Sequence, residues 1–202
     1  MTWVKVCGLR EPDDVEVAAR SGADAIGLVL AESSPRRVSL DRAARLTEVA
    51  AGRLATYLVM VEASPEEAME AAGRSGVTGV QPHGSTSAAV AAAARAAGLS
   101  VLRPVAVAGP VDLGEIPLDQ VPLLDTHDPH RHGGTGARWD PSFLGSVDRP
   151  WVLAGGLDPD NVREAVGECH PWGVDASSGL ESAPGVKDPE RIRRFVEEAR
   201  TA

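Results

Sequence analysis

Trp3-Val4-Lys5-Val6-Cys7-Gly8-Leu9-Arg10-Glu11-Pro12-Asp13-Asp14 is the stretch whose reading decides the fold. A run of apolar and β-branched residues stops at Cys7-Gly8. A polar residue before proline and two acids then open a helix. Strand, cap and helix in so little chain is the repeating unit of a parallel α/β protein, which presents its chemistry where the strands end. Cys7 stands at such an end, although a thiol there also reads as a half-buried apolar residue.

The same unit recurs along the chain. Strands are expected at 3–7, 24–30, 54–61, 78–83, 99–105, 121–125, 150–154 and 172–177. Helix starts repeat the pattern at Ser64-Pro65-Glu66-Glu67, Asp158-Pro159-Asp160 and Asp188-Pro189-Glu190, and Ser64 with Glu67 fits a capping box. The final helix carries Ile192, Phe195, Val196 and Ala199 at helical spacing. The alanine-rich stretch 88–97 reads as a helix packed closely on the sheet. Eight strands alternating with seven or eight helices require a parallel sheet, and closing it gives one (β/α)8 TIM barrel domain over residues 1–202. An open doubly wound sheet is the alternative, but no Gly-x-Gly-x-x-Gly follows the first strand.

Composition narrows the partners. A net charge of −9 argues against a nucleic-acid partner, which would need a basic face, so a phosphate is expected to be held locally by backbone amides or a few arginines. The apolar runs fall short of the roughly 20 residues that span a membrane, and Lys5 and Arg10 interrupt any signal-like start. Two cysteines, Cys7 and Cys169, make no disulfide framework and point to the reducing cytoplasm. Cys169 precedes the eighth strand, at the opposite end of a barrel from Cys7, and is read as structural.

Alternation places Trp3, Lys5 and Cys7 on one face of the first strand, Val121, Leu123 and Asp125 on one face of the sixth, and Gly173, Asp175 and Ser177 on one face of the eighth. If these faces point inward, Cys7 and Asp125 meet at the rim as a base and an acid, although Asp125 alone also reads as a helix cap. Gly155-Gly156 and Ser177-Ser178-Gly179 follow the last two strands, whose loops commonly hold phosphate in this fold. Gly133-Gly134-Thr135-Gly136 follows the sixth strand and reads as a ligand loop or a hinge.

Taken together, Lys5-Val6-Cys7-Gly8-Leu9, Gly22-Ala23-Asp24-Ala25-Ile26-Gly27, Ser34-Pro35-Arg36, Val80-Gln81-Pro82-His83-Gly84, Leu124-Asp125 with Gly133-Gly134-Thr135-Gly136, Leu153-Ala154-Gly155-Gly156-Leu157, Gly173-Val174-Asp175 with Ser177-Ser178-Gly179, and Gly185-Val186-Lys187-Asp188 resemble the phosphoribosylanthranilate isomerases, in order and over nearly the whole chain. The resemblance implies a cofactor-free Amadori rearrangement of N-(5'-phosphoribosyl)anthranilate in tryptophan biosynthesis, by a monomer or homodimer that binds a small phosphosugar. It makes Cys7 the general base and Asp125 the general acid. Arg36, His83 and Asp175 become substrate-binding residues, with Arg36 facing the anthranilate carboxylate, and Gly134, Gly155, Gly156, Ser177 and Ser178 hold phosphate. Such chemistry suits these residues: an acid that carries a proton when the furanose opens, and a thiolate, expected from a thiol pulled below its ordinary value of about 8.5, that removes the C2 proton.

Pro82, Met60, Glu62 and Ala137 depart from the family pattern, and Pro82 lacks a donor within a closed sheet. The histidines His127, His130 and His132 beside Asp125 suggest a transition-metal site, but their spacing fits no established ligand motif and a solvated loop is the expectation, so no metal is assigned. Lys5 and Lys187 are the only lysines and keep open a Schiff-base barrel enzyme. A binding module that has lost turnover is a further alternative.

Overall fold

A computed structural model describes residues 1–107, 109, 111–125 and 147–202. Eight parallel strands close into a barrel in chain order: β1 Trp3–Cys7, β2 Ala25–Val29, β3 Ala55–Val61, β4 Gly79–His83, β5 Ser100–Ala106, β6 Val121–Asp125, β7 Val152–Ala154 and β8 Gly173–Ala176. All eight expected strands are present, each within two residues of its expected start and end. The seam between β1 and β8 pairs Trp3 with Gly173 and Lys5 with Asp175.

Six helices lie on the described residues: α1 Pro12–Ser21, α2 Leu40–Ala50, α3 Pro65–Ser75, α4 Ser87–Ala96, α5 Val162–Cys169 and α6 Pro189–Arg200. Ser64 caps α3 in the expected box, its hydroxyl accepting from Glu67 N–H while the Glu67 carboxylate accepts from Ser64 N–H. The Asp188 carboxylate accepts from Glu190 and Arg191 N–H at the start of α6. The expected start at Asp158 is corrected: its carboxylate accepts from Asp160 and Asn161 N–H in a turn, and α5 opens only at Val162. Among the described residues between β5 and β6 there is no helix.

Two apolar layers follow from strand alternation. Outward residues such as Val4, Ile26, Leu58, Val80, Leu124 and Leu153 pack with the helices, where Leu46 of α2 and Ile192, Phe195 and Val196 of α6 are buried. The alanine-rich helix α4 buries Val90, Ala91 and Ala94. Inward residues Ala25, Tyr57, Leu102, Leu123, Val152 and Ala154 fill the barrel, and Cys7, Val29 and Val59 form a separate apolar group.

Pro82 is accommodated by the register. The His83 carbonyl accepts from Glu62 N–H on the β3 side, so Pro82 directs its nitrogen toward β5. Pairing of β4 with β5 ends at Val80–Val101, whereas pairing with β3 continues to His83. The missing donor thus falls where the ladder has already stopped.

After β8 the chain makes a 3₁₀ turn over Ser178–Leu180 and then an antiparallel pair, β9 Glu181–Ala183 and β10 Val186–Lys187, which the sequence reading did not anticipate.

Candidate active site

Lys5 and Asp175 face each other inside the barrel across the β1–β8 seam. Their ion pair, Lys5 Nζ to Asp175 Oδ2, is 2.8 Å long, and both side chains are buried. Burial alone would favour the neutral amine, but the charges of Asp175 and Cys7 outweigh it and hold Lys5 above its ordinary value.

Cys7 ends β1 one inward position above Lys5 and is buried. Its expected lowered thiol value is corrected: burial pushes the thiol up and Asp175 adds to that, against the opposing charges of Lys5 and Lys187 and a hydrogen bond with Lys5. The room for this arrangement comes from Gly27 on β2, where a Cβ would lie 2.6 Å from Cys7 Sγ and 3.2 Å from Lys5 Nζ. Cys169, at the end of α5, is also a free thiol, so no disulfide joins the two.

Asp125 ends β6 opposite Ala106 and Ala154, on the same face as the inward Leu123. His83 ends β4, and its Nε2 lies 3.1 Å from Nε2 of the buried Gln81 on the same face. Burial draws His83 below its ordinary value, with the Asp125 carboxylate opposing the change. Asp125 also acts electrostatically on Asp175, so Cys7, Lys5, Asp175, Asp125 and His83 form one interacting set.

Arg36 lies beside this set, in the segment after β2. Its Nε and Nη2 donate to Glu181 Oε1 and Oε2 at 2.7 and 2.9 Å. The other edge of the guanidinium, between Nη1 and Nη2, remains suited to a second carboxylate. Glu181 also accepts from Lys187 Nζ at 2.9 Å, and Lys187 Nζ donates to the Ser177 carbonyl at the same distance. Ser177 Oγ in turn donates to the Cys7 carbonyl at 3.1 Å. Gly8 adopts a left-handed φ of +79°, and a Cβ there would lie 2.6 Å from Arg36 Cδ, so both conformation and space require glycine. A relay of contacts therefore fixes Arg36 and the loop after β8 relative to Cys7.

Gly155 and Gly156 follow β7 with φ of +89° and +65°, and a side-chain amide of Asn161 donates to the Gly156 carbonyl. Ser178 opens the 3₁₀ turn after β8. Gly134 and the histidines His127, His130 and His132 lie outside the described residues. Among the described residues no cluster of His, Cys, Asp or Glu could hold a metal ion, and no helix is long and apolar enough to cross a membrane.

The sequence reading missed Gln81, Glu181 and the spacing role of Gly27, and it considered Lys187 only as a Schiff-base lysine. One signal was available for Gly27: a glycine at an inward position of a strand marks a close approach. Both lysines are buried and ion-paired, which leaves neither as an accessible amine for a Schiff base.

A closed parallel barrel with its ionisable groups gathered at the carboxyl ends of the strands is the arrangement of the (β/α)8-barrel enzymes. The family model described as N-(5'phosphoribosyl)anthranilate (PRA) isomerase matches residues 4–198. The chain belongs to that family. It is 40% identical over 204 residues to the N-(5'-phosphoribosyl)anthranilate isomerase of Geobacter sp. (strain M21), covering 99% of this chain and 98% of the relative. The crystal structure of the phosphoribosyl anthranilate isomerase from Thermotoga maritima superposes with a TM-score of 0.90 at 33% identity, covering all of both chains. Another isomerase structure, in complex with reduced 1-(o-carboxyphenylamino)-1-deoxyribulose 5-phosphate, matches at a TM-score of 0.83 and 30% identity, also over both whole chains. A further Thermotoga maritima structure is of monomers generated from a dimeric enzyme.

Proposed function

We propose that this protein converts N-(5'-phosphoribosyl)anthranilate to 1-(2-carboxyphenylamino)-1-deoxyribulose 5-phosphate in tryptophan biosynthesis, with Cys7 as general base and Asp125 as general acid. The observation that carries this reading is the placement of Cys7, Asp175 and Asp125 on the inner faces of β1, β8 and β6 in a chain of this family. Asp125 gives a proton to the furanose oxygen as the C1–O bond breaks, and the nitrogen lone pair forms an iminium. Cys7 as thiolate then takes the C2 proton, the electrons neutralise the iminium, and the resulting enolamine tautomerises to the ketone. Every step is a proton transfer or a C–O cleavage, so the sequence of steps calls for no cofactor.

Arg36 receives the anthranilate carboxylate on the guanidinium edge that Glu181 leaves open. Asp175 Oδ1, buried and without a hydrogen-bond partner among the described residues, accepts from a ribose hydroxyl, and His83 contacts the same end of the substrate. Backbone groups at Gly134, Gly155, Gly156, Ser177 and Ser178 take the phosphate; the Ser177 hydroxyl is committed to Cys7. The catalyst is a single domain over residues 1–202, monomeric or homodimeric, and cytoplasmic, where the free thiol of Cys7 is kept reduced.

The deciding assay generates the substrate in situ from anthranilate and phosphoribosyl pyrophosphate and follows the loss of its fluorescence. Rapid loss with the wild type, abolished in Cys7→Ala, is expected. Loss no faster than spontaneous decay with a folded wild type would overturn the proposal.

A further inference from the structure

Lys5 has no part in the steps above, yet it is among the largest fully buried side chains of the described residues. An ion pair so deep is weak evidence for stability, because apolar residues of similar volume often serve as well or better. Asp175 Oδ2 holds the Lys5 ammonium at 2.8 Å, and Cys7 stands one inward position above it on the same strand. The absent side chain of Gly27 leaves the space in which Cys7 Sγ and Lys5 Nζ come together. The charged groups acting on Cys7 are Lys5 from β1, Asp175 from β8 and Lys187 from β10, while Val29 of β2 and Val59 of β3 contribute apolar surface. Lys187 is already engaged by Glu181 and the Ser177 carbonyl, so Lys5 is the cation placed against the sulfur.

We propose that Lys5 is a positioning residue for proton abstraction: its ammonium, anchored by Asp175, orients Cys7 Sγ by a hydrogen bond and is the fixed counter-charge of the thiolate. A thiolate among Cys7, Val29 and Val59 lacks water to stabilise it, and in so poorly polar a setting one adjacent cation acts far more strongly than at the surface. When Cys7 takes the substrate proton its charge disappears, and the ammonium returns to Asp175 alone. The inference rests on the reading of Cys7 as the base.

The test is an ultraviolet titration of the thiolate in a Cys169→Ser background, comparing wild type, Asp175→Asn and the double variant Lys5→Met with Asp175→Asn. The double variant is chosen because Lys5→Met alone strands a buried carboxylate, whereas Asp175→Asn leaves an ammonium that the Cys7 thiolate can still neutralise and the double variant leaves neither charge. Asp175→Asn removes an anion near Cys7 and is expected to increase the thiolate fraction at a given pH. Removing Lys5 as well is expected to decrease it about tenfold or more relative to Asp175→Asn. The rate at which Cys7 is alkylated at a given pH should move with the titration. A merely structural role would leave the two folded variants titrating alike, and that result would overturn the inference. The titration reads the thiol directly, so full turnover by Cys7→Ala would instead remove the base assignment on which the inference depends.

Discussion

Glu181 grips one whole edge of Arg36, with Nε and Nη2 donating to its two carboxylate oxygens at 2.7 and 2.9 Å. The arginine therefore presents its remaining edge in a fixed direction, which lowers the entropy lost when a carboxylate docks. Arg36→Ala is expected to weaken binding of an anthranilate-bearing product analogue by about 10- to 100-fold, the scale of a charge-assisted hydrogen-bonded pair. Glu181→Gln, which keeps one acceptor and loses the charge, is expected to raise KM by a smaller factor with kcat nearly unchanged. Calorimetric titration of both variants checks this, and unaltered affinity in Arg36→Ala would return that residue to a purely structural place.

Cys7→Ala and Asp125→Asn are each expected to lower kcat by roughly 10²- to 10⁴-fold, the range for a general base or acid. Both changes are small and lie at strand ends, so thermal unfolding should move by only a few degrees. Near-normal kcat in either variant would take that residue out of the mechanism.

The pH dependence has a defined sign. Cys7 acts as thiolate, and burial pushes its thiol above the ordinary value of about 8.5. In the free enzyme, with Cys169→Ser as background, alkylation of Cys7 by a small thiol reagent should therefore quicken with pH through neutrality and on into the alkaline range. An alkylation rate flat between neutrality and alkaline pH would argue against a thiol held above its ordinary value.

Gly27→Ala would set a methyl group 2.6 Å from Cys7 Sγ and 3.3 Å from Cys7 Cα. The strand backbone has little freedom to move, so the thiol must. A misplacement near 1 Å costs on the order of 10²-fold in rate, and overpacking costs about 1–3 kcal/mol. Steady-state kinetics with thermal denaturation checks both figures, and an unaffected kcat would mean that Cys7 tolerates displacement.

Glu181 also sets an acid-stability limit. Against the opposing effect of burial, hydrogen bonds from Arg36 and Lys187 hold its carboxyl below the ordinary value of about 4.3. A depressed carboxylate contributes stability that is complete above the unfolded value and is lost as pH falls through the folded one. Glu181→Gln should thus be less stable than wild type at neutral pH, and the gap should narrow in acid. Denaturant titrations at several pH values give the comparison, and a constant gap would contradict it.

Much of this architecture could be read from local chemistry. A strand ending at Cys7, proline-led helix starts and the period of Ile192, Phe195, Val196 and Ala199 each depend on neighbours a few residues away. Asp158 misled because its carboxylate closes a turn on Asp160 and Asn161 before the helix begins, and both uses look the same in sequence. The β9–β10 pair is too short to show alternation. The contacts that tune the site were out of reach for another reason: Arg36 with Glu181 and Lys5 with Asp175 are separated by 145 and 170 residues. Only the closed register makes them neighbours.

That separation makes the Lys5–Asp175 contact a record of assembly. Joining β1 to β8 closes the longest loop in the barrel, and loop-closure entropy must be overcome before any contact across the seam forms. A chain with seven strands docked and the last still loose would hold Lys5, and the Cys7 beside it, without the anchoring carboxylate of Asp175. Such an intermediate would be compact and silent, and the onset of turnover during refolding would time the zipping of the final strand.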